Sequence, residues 1–152
     1  MAKEKTPWQV FEELSKKGEY EEAHIDKDEI DSILRMAIED YEYGKSLRKL
    51  KGQNWRVIFN VHYDVIRELC GLLMRFKRQK TSNHQGLFAF IILNFPELEL
   101  DWGFFEKIRG IRNRNKYVGM DITKESWKDV ELQADLYISV INKLIEGNLK
   151  KI

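Results

Sequence analysis

The chain has 152 residues, enough for one domain to bury a sizeable core without a disulfide or metal staple. It is 43% hydrophobic and 34% charged, and 26 basic residues against 25 acidic ones leave a formal net charge of +1. That balance excludes a disordered chain, a membrane protein and a uniformly basic nucleic-acid binder, but not a neutral chain whose charges are segregated.

In chain order, Thr6-Pro7-Trp8-Gln9 first predicts a helix start, with Thr as N-cap, Pro at the first helical position and Gln three residues after the cap. This helix runs to about Lys17 and stops at Gly18. An acidic stretch comes next, and Asp26 caps the second helix, where Ile30, Ile33, Leu34, Ala37, Ile38 and Tyr41 keep helical spacing to about Leu50. Gly52 marks the turn. The third helix starts near Asn54, carries Ile58, Val61, Val65, Leu69, Leu72, Leu73 and Phe76, and ends in the basic segment Arg75–Lys80. His84 to Phe95 is a short apolar helix closed by Pro96. Asp101 caps a helix carrying Trp102, Phe105, Ile108 and Ile111, which ends at Gly119. Thr123 opens the last helix, with Trp127, Val130, Ala134, Tyr137, Ile138, Ile141, Leu144 and Ile145 as its stripe and Gly147 near its end. No segment sustains period-two alternation and no hairpin dipeptide occurs. The expectation is therefore one all-α domain over residues 1–152, with its core at about 26–147. Its architecture is an antiparallel bundle of four to five main helices plus a short N-terminal helix.

The lone Cys70 cannot pair internally, and its apolar surroundings predict a reduced, buried thiol. The longest apolar run, Leu87–Leu93, falls far short of the ~20 residues a membrane helix needs, and no apolar leader stands behind Met1–Thr6. The expected compartment is the cytoplasm. No His pair has zinc-ligand spacing, and no Gly-rich phosphate loop occurs, so neither a metal nor a cofactor is expected.

Charge is unevenly spread. Acids dominate between Glu19 and Glu42, whereas bases cluster at Lys45–Arg56, Arg75–Lys80 and Lys107–Lys116. The last cluster holds Lys107, Arg109, Arg112, Arg114 and Lys116 with no acid between them. On an α-helix Arg109, Arg112 and Lys116 share a face, which predicts either full exposure or an anion as ligand. Asn113 and Arg114 lie beside them. Tyr117 stands about 140° round an ideal helix from Arg112, so the two converge only where the helix unwinds or across a symmetric dimer. His84 at a helix start reads as a capping or core-bonded residue, with a stand-in catalytic base as the alternative. His62 reads as buried and hydrogen-bonded, and His24 as exposed.

These segments together resemble the higher eukaryotes and prokaryotes nucleotide-binding family, HEPN. The features that carry the resemblance are Asn60-Val61-His62-Tyr63-Asp64-Val65 on a long helix and Ser82-Asn83-His84-Gln85-Gly86-Leu87 at a helix start. An Arg-Asn helix end, the turn Tyr117-Val118-Gly119 and a last long helix with Ala134 complete it. The match runs from about Asp26 to Gly147. The resemblance implies a small helical bundle that pairs into a homodimer. Active relatives are metal-independent ribonucleases whose signature is an Arg, often followed by a polar residue, with a His four to six residues later. Arg112 and Asn113 fall on the Arg-polar pair, and Tyr117 falls on the His.

A phosphodiester cleavage needs a base for the ribose 2′-hydroxyl and a cation for the charged phosphorane. Arg112 suits the second task. A tyrosine, as a weak acid, does not suit the first, but Tyr117 can donate a hydrogen bond to phosphate or stack on a base. Three readings result. The leading one is a homodimeric module that binds RNA or a nucleotide through the Arg112–Tyr117 segment, with Arg109, Asn113, Arg114, Lys116 and His84 as further binding residues. The alternative is a toxin-type ribonuclease with Arg112 and Tyr117 at its centre, neutralised by a nucleotidyltransferase-like antitoxin partner. In the third, the basic segment completes a dimer interface against the acidic Glu19–Glu42 region.

Overall fold

Among residues 4–152, the ones that the computed structural model describes, six α-helices begin at polar capping residues. Met1 to Lys3, within the stretch on which the expectation about a leader rests, lie outside the described residues. Thr6 closes a capping box on α1 (Pro7–Lys16): its hydroxyl accepts from the Gln9 amide at 3.1 Å, and the Gln9 side chain accepts from the Thr6 amide at 2.9 Å. Asp26 caps α2 (Lys27–Leu47), Asn54 caps α3 (Trp55–Arg75) and Asn83 caps α4 (His84–Asn94). Asp101 caps α5 (Trp102–Asn113) through the amides of Gly103 and Phe104, and Thr123 caps α6 (Lys124–Leu149). Each side-chain oxygen satisfies an amide that the helix itself cannot.

Central to the bundle is α3, which buries Ile58, Phe59, Tyr63, Ile66, Leu69, Cys70, Leu73 and others round most of its circumference. It packs against α2, α6 and α4. The connection from α2 to α3 is short, so the two run antiparallel along their contact. Their approach depends on Gly44: a Cβ there would stand 2.9 Å from Val61 Cγ1 and 3.0 Å from His62 Cε1. The α4 helix is apolar on all sides and needs cover on all sides. Helix α1 and the segment after it supply part of it, with Phe11 and Tyr20 against Phe90 and the Tyr20 hydroxyl donating to the Gly86 carbonyl at 2.8 Å.

The all-α expectation holds, with five main helices and the short α1. Three departures from the expected course bear on the site: the end of α2, a small ladder after α3, and the end of α5. The α2 helix ends at Leu47, not Leu50, in a tightened last turn. The α3 helix ends at Arg75, within the basic segment where its end is expected, and Arg78 takes a left-handed conformation and turns the chain. Beyond that turn a small antiparallel ladder, β1 (Glu21–Glu22) with β2 (Gln79–Lys80), pins the acidic loop to the basic one and sets Lys80 3.8 Å from Glu21. Two-residue strands are too short to leave a period-two pattern. No helix among the described residues is long and apolar enough to cross a membrane.

The third difference falls inside the predicted site. The α-helical part of α5 stops at Asn113, and Arg114–Val118 continue as one π-helical turn closed by Gly119 in the left-handed region. The wider turn moves Lys116 and Tyr117 off the positions that 3.6-residue geometry assigns them, so the three-cation face expected from α-helical spacing is not continuous. Such single π turns occur frequently at functional sites.

Candidate anion-binding site

Arg112 lies at the junction of the α and π segments, with its side chain only 18% exposed. Its guanidinium sits over the Tyr63 ring of α3, 4.9 Å from the centroid. The nearest carboxylate is Asp64, at 4.0 Å, beyond hydrogen-bonding reach. Arg112 Nε is buried and has no hydrogen-bond partner. A half-buried guanidinium with unmet donors is what a bound oxyanion satisfies.

Across the same ring lies His84, where Tyr63 Oη is 2.9 Å from Nδ1. Burial and the charges of Arg112 and Arg67 hold the imidazole below its usual pKa, so it is neutral at pH 7. Burial pushes the Tyr63 phenol up, and it keeps its proton through the neutral range. Helices α3, α4 and α5 thus bring Tyr63, His84 and Arg112 together. Sequence reasoning singled out His84 and Arg112 separately. It missed Tyr63 as the link, although Tyr63 stands inside the Asn60–Val65 stretch that carried part of the resemblance.

The remaining predicted residues are placed differently. No acid lies between Lys107 and Lys116 in sequence, yet folding supplies several. Arg109 makes a two-pronged bond to Glu106, at 3.1 Å for both contacts, and Glu106 also accepts from Gln85 on α4. Lys107 pairs with Asp129 of α6. The expectation of a locally unneutralised cluster is therefore corrected for Lys107 and Arg109: their acids come from one turn earlier and from another helix. Arg114 is exposed, and its guanidinium lies back over Gly110, where a Cβ would be 3.3 Å from Nη1. Neither Arg114 nor Lys116 makes an ion pair among the described residues. Asn113 makes no capping bond.

Tyr117 is 79% exposed and Val118 70%, on the π turn. Within one chain Tyr117 makes no aromatic or hydrogen-bonding contact with Arg112 or His84 among the described residues. The turn is pinned by Asn115, which donates to the Met120 carbonyl at 2.9 Å and accepts from Asn60 at 3.3 Å.

Two other features lie elsewhere. Tyr41, Arg48, His62 and Asp135 form a polar network between α2, α3 and α6, in which His62 is buried and the other three are partly exposed. Arg48 reaches Asp135 through two contacts at 2.9 and 2.6 Å, and the Tyr41 hydroxyl donates to Asp135 at 2.8 Å. His62 Nδ1 donates to the Ile58 carbonyl at 2.7 Å, leaving Nε2 to accept from Arg48. An open groove of about 660 Å³ runs between α2, α3 and the β1–β2 ladder, over Ile33, Met36, Gly71 and Leu72; none of the predicted site residues lines it. Among the described residues no group of three or more His, Cys, Asp or Glu could hold a metal ion. No family model, curated protein or solved structure matches the chain.

Proposed function

We propose that this chain is a HEPN-like helical module that binds RNA or a nucleotide through Arg112 and the π turn after it, and that it works as a homodimer. The observation that carries the anion site is the half-buried Arg112 guanidinium, held over Tyr63 with its Nε unpartnered. Arg114 and Lys116 extend the positive charge along the exposed edge, and Tyr117 offers a ring for stacking. That the anion is RNA or a nucleotide rests on the resemblance.

The test is a salt titration of single-stranded RNA binding by wild type, Arg112→Ala and the surface control Lys16→Ala. Arg112→Ala should weaken binding and flatten the dependence of log affinity on log salt by about 0.7 for each phosphate that is no longer bound. Unchanged affinity and slope in Arg112→Ala would refute the site.

A second reading, a metal-independent ribonuclease, is favoured by the nearness of a neutral His84 to Arg112. If His84 Nδ1–H donates to Tyr63 Oη, Nε2 keeps a lone pair for the 2′-hydroxyl proton. The resemblance then adds a nucleotidyltransferase-like antitoxin as partner. Metal-independent RNA cleavage that disappears in both His84→Gln and Arg112→Ala would establish this reading. No cleavage by wild type in chelator would dismiss it.

A further inference from the structure

The last helix carries two stripes. One is the core stripe from Trp127 through Val130, Ala134 and Ile138 to Ile145, against α3. The other is exposed throughout: Glu125, Asp129, Leu132, Leu136, Ser139 and Lys143. Its steps alternate four and three, the spacing of a helix–helix seam. At its middle Leu132 is 84% exposed and Leu136 56% exposed. Two leucines one helical turn apart on this face leave most of their apolar surface in solvent within one chain.

We propose that this seam is the surface through which two copies of the chain pair, with their α6 helices antiparallel about a two-fold axis level with residue 134. The inference rests on the homodimer part of the proposed function and gives it a surface. That one register sets three juxtapositions. Leu132 meets Leu136 of the second copy, and Leu136 meets its Leu132. Glu125 meets Lys143 of the second copy at both ends of the seam. Asp129, which keeps its pairing with Lys107, faces the Ser139 hydroxyl of the second copy.

The charges select this arrangement. Neither Glu125 nor Lys143 has an ion-pair partner in its own chain among the described residues. A parallel pairing would set Glu125 on Glu125 and Lys143 on Lys143, with like charges at both ends. The antiparallel pairing sets opposite charges at both ends and apolar groups between them. It is isologous, so it closes at two copies and leaves no seam exposed for further growth. From Glu125 to Lys143 the contact spans about 27 Å of helix.

The experiment is light scattering and sedimentation equilibrium on the full chain, with circular dichroism to confirm that each variant keeps its helices. Wild type should be a dimer in the micromolar range. Leu132→Glu, on the most exposed position of the seam, should raise the dimer Kd by about tenfold or more, the effect of removing one well-buried leucine from an interface. Glu125→Lys and Lys143→Glu should each weaken the dimer, and the double exchange Glu125→Lys with Lys143→Glu should restore it. A mere loss of fold would show no such rescue. If the leucine variant dimerises like wild type, or the double exchange fails to restore pairing, the seam is wrong while the homodimer reading stands on another surface. If wild type is a monomer at 100 µM, both fail, and RNA binding is still decided by its own titration.

Discussion

Acid should destabilise this protein through His62, and the magnitude is set by where the ring sits. The imidazole is 1% exposed, and burial, with the Arg48 guanidinium beside it, lowers its pKa from 6.5 to about 4. An unfolded chain takes up the proton at about pH 6.5, whereas the folded one refuses it until about pH 4. The unfolded state therefore binds more protons in this window, and stability is lost as pH falls through it. A tenfold change in proton affinity is worth about 1.4 kcal/mol, so going from pH 7 to pH 4.5 removes about 2 kcal/mol. The other groups facing the ring are Asp135, Glu131, Arg48 and Tyr41. Asp135 is held below its ordinary value by its bonds to Arg48 and Tyr41, so its own contribution is lost only at lower pH. His84 acts in the same direction as His62, and Glu68, raised by burial, acts in the opposite one. The comparison of wild type with His62→Gln cancels both. Urea unfolding at pH 7 and pH 4.5 should show a loss in wild type larger by about 2 kcal/mol than in the variant. Equal losses would refute the assignment of a neutral, buried His62 accepting from Arg48.

Asp135→Ala should cost about 2–4 kcal/mol in urea unfolding, because it leaves the largely buried Arg48 without its carboxylate. Asp135→Ala with unchanged stability would show that solvent screens that pair. Gly44→Ala should cost about 1–3 kcal/mol, since its Cβ meets Val61 and His62 at the α2–α3 crossing; a variant as stable as wild type would mean that the crossing can widen freely. The Cys70 thiol, fully buried and pushed up by burial, should resist a thiol reagent in buffer and react promptly in urea. Rapid labelling of the native protein would place Cys70 in a segment that opens on its own.

Most of the fold was legible because its signals are local. The caps at Thr6, Asp26, Asn54, Asp101 and Thr123 and the three–four spacing of the apolar residues need nothing from the rest of the chain. Arg112 and His84 were legible as candidates, but their meeting was not. It depends on Tyr63, far from Arg112 along the chain, and on how α3, α4 and α5 pack. The π turn was anticipated only as unwinding near Gly119, because a wide turn has no side-chain signature of its own. Charge pairing was the least legible feature. Arg109 and Lys107 looked unneutralised in the sequence because Glu106 stands just outside the cluster and Asp129 arrives on another helix.

The cover that α1 gives to α4 also sets an order of events during synthesis. Phe11 and Tyr20 leave the ribosome early, but Phe90 and Gly86, against which they rest, emerge only when more than half of the chain is out. Ten residues are too few to hold a helix in water unaided, capping box or not. The first helix in the chain therefore waits for the fourth. It takes shape on the surface of α4 as it docks, and until then the most apolar helix of the molecule stands open on that side, where a chaperone or a neighbouring nascent chain can reach it.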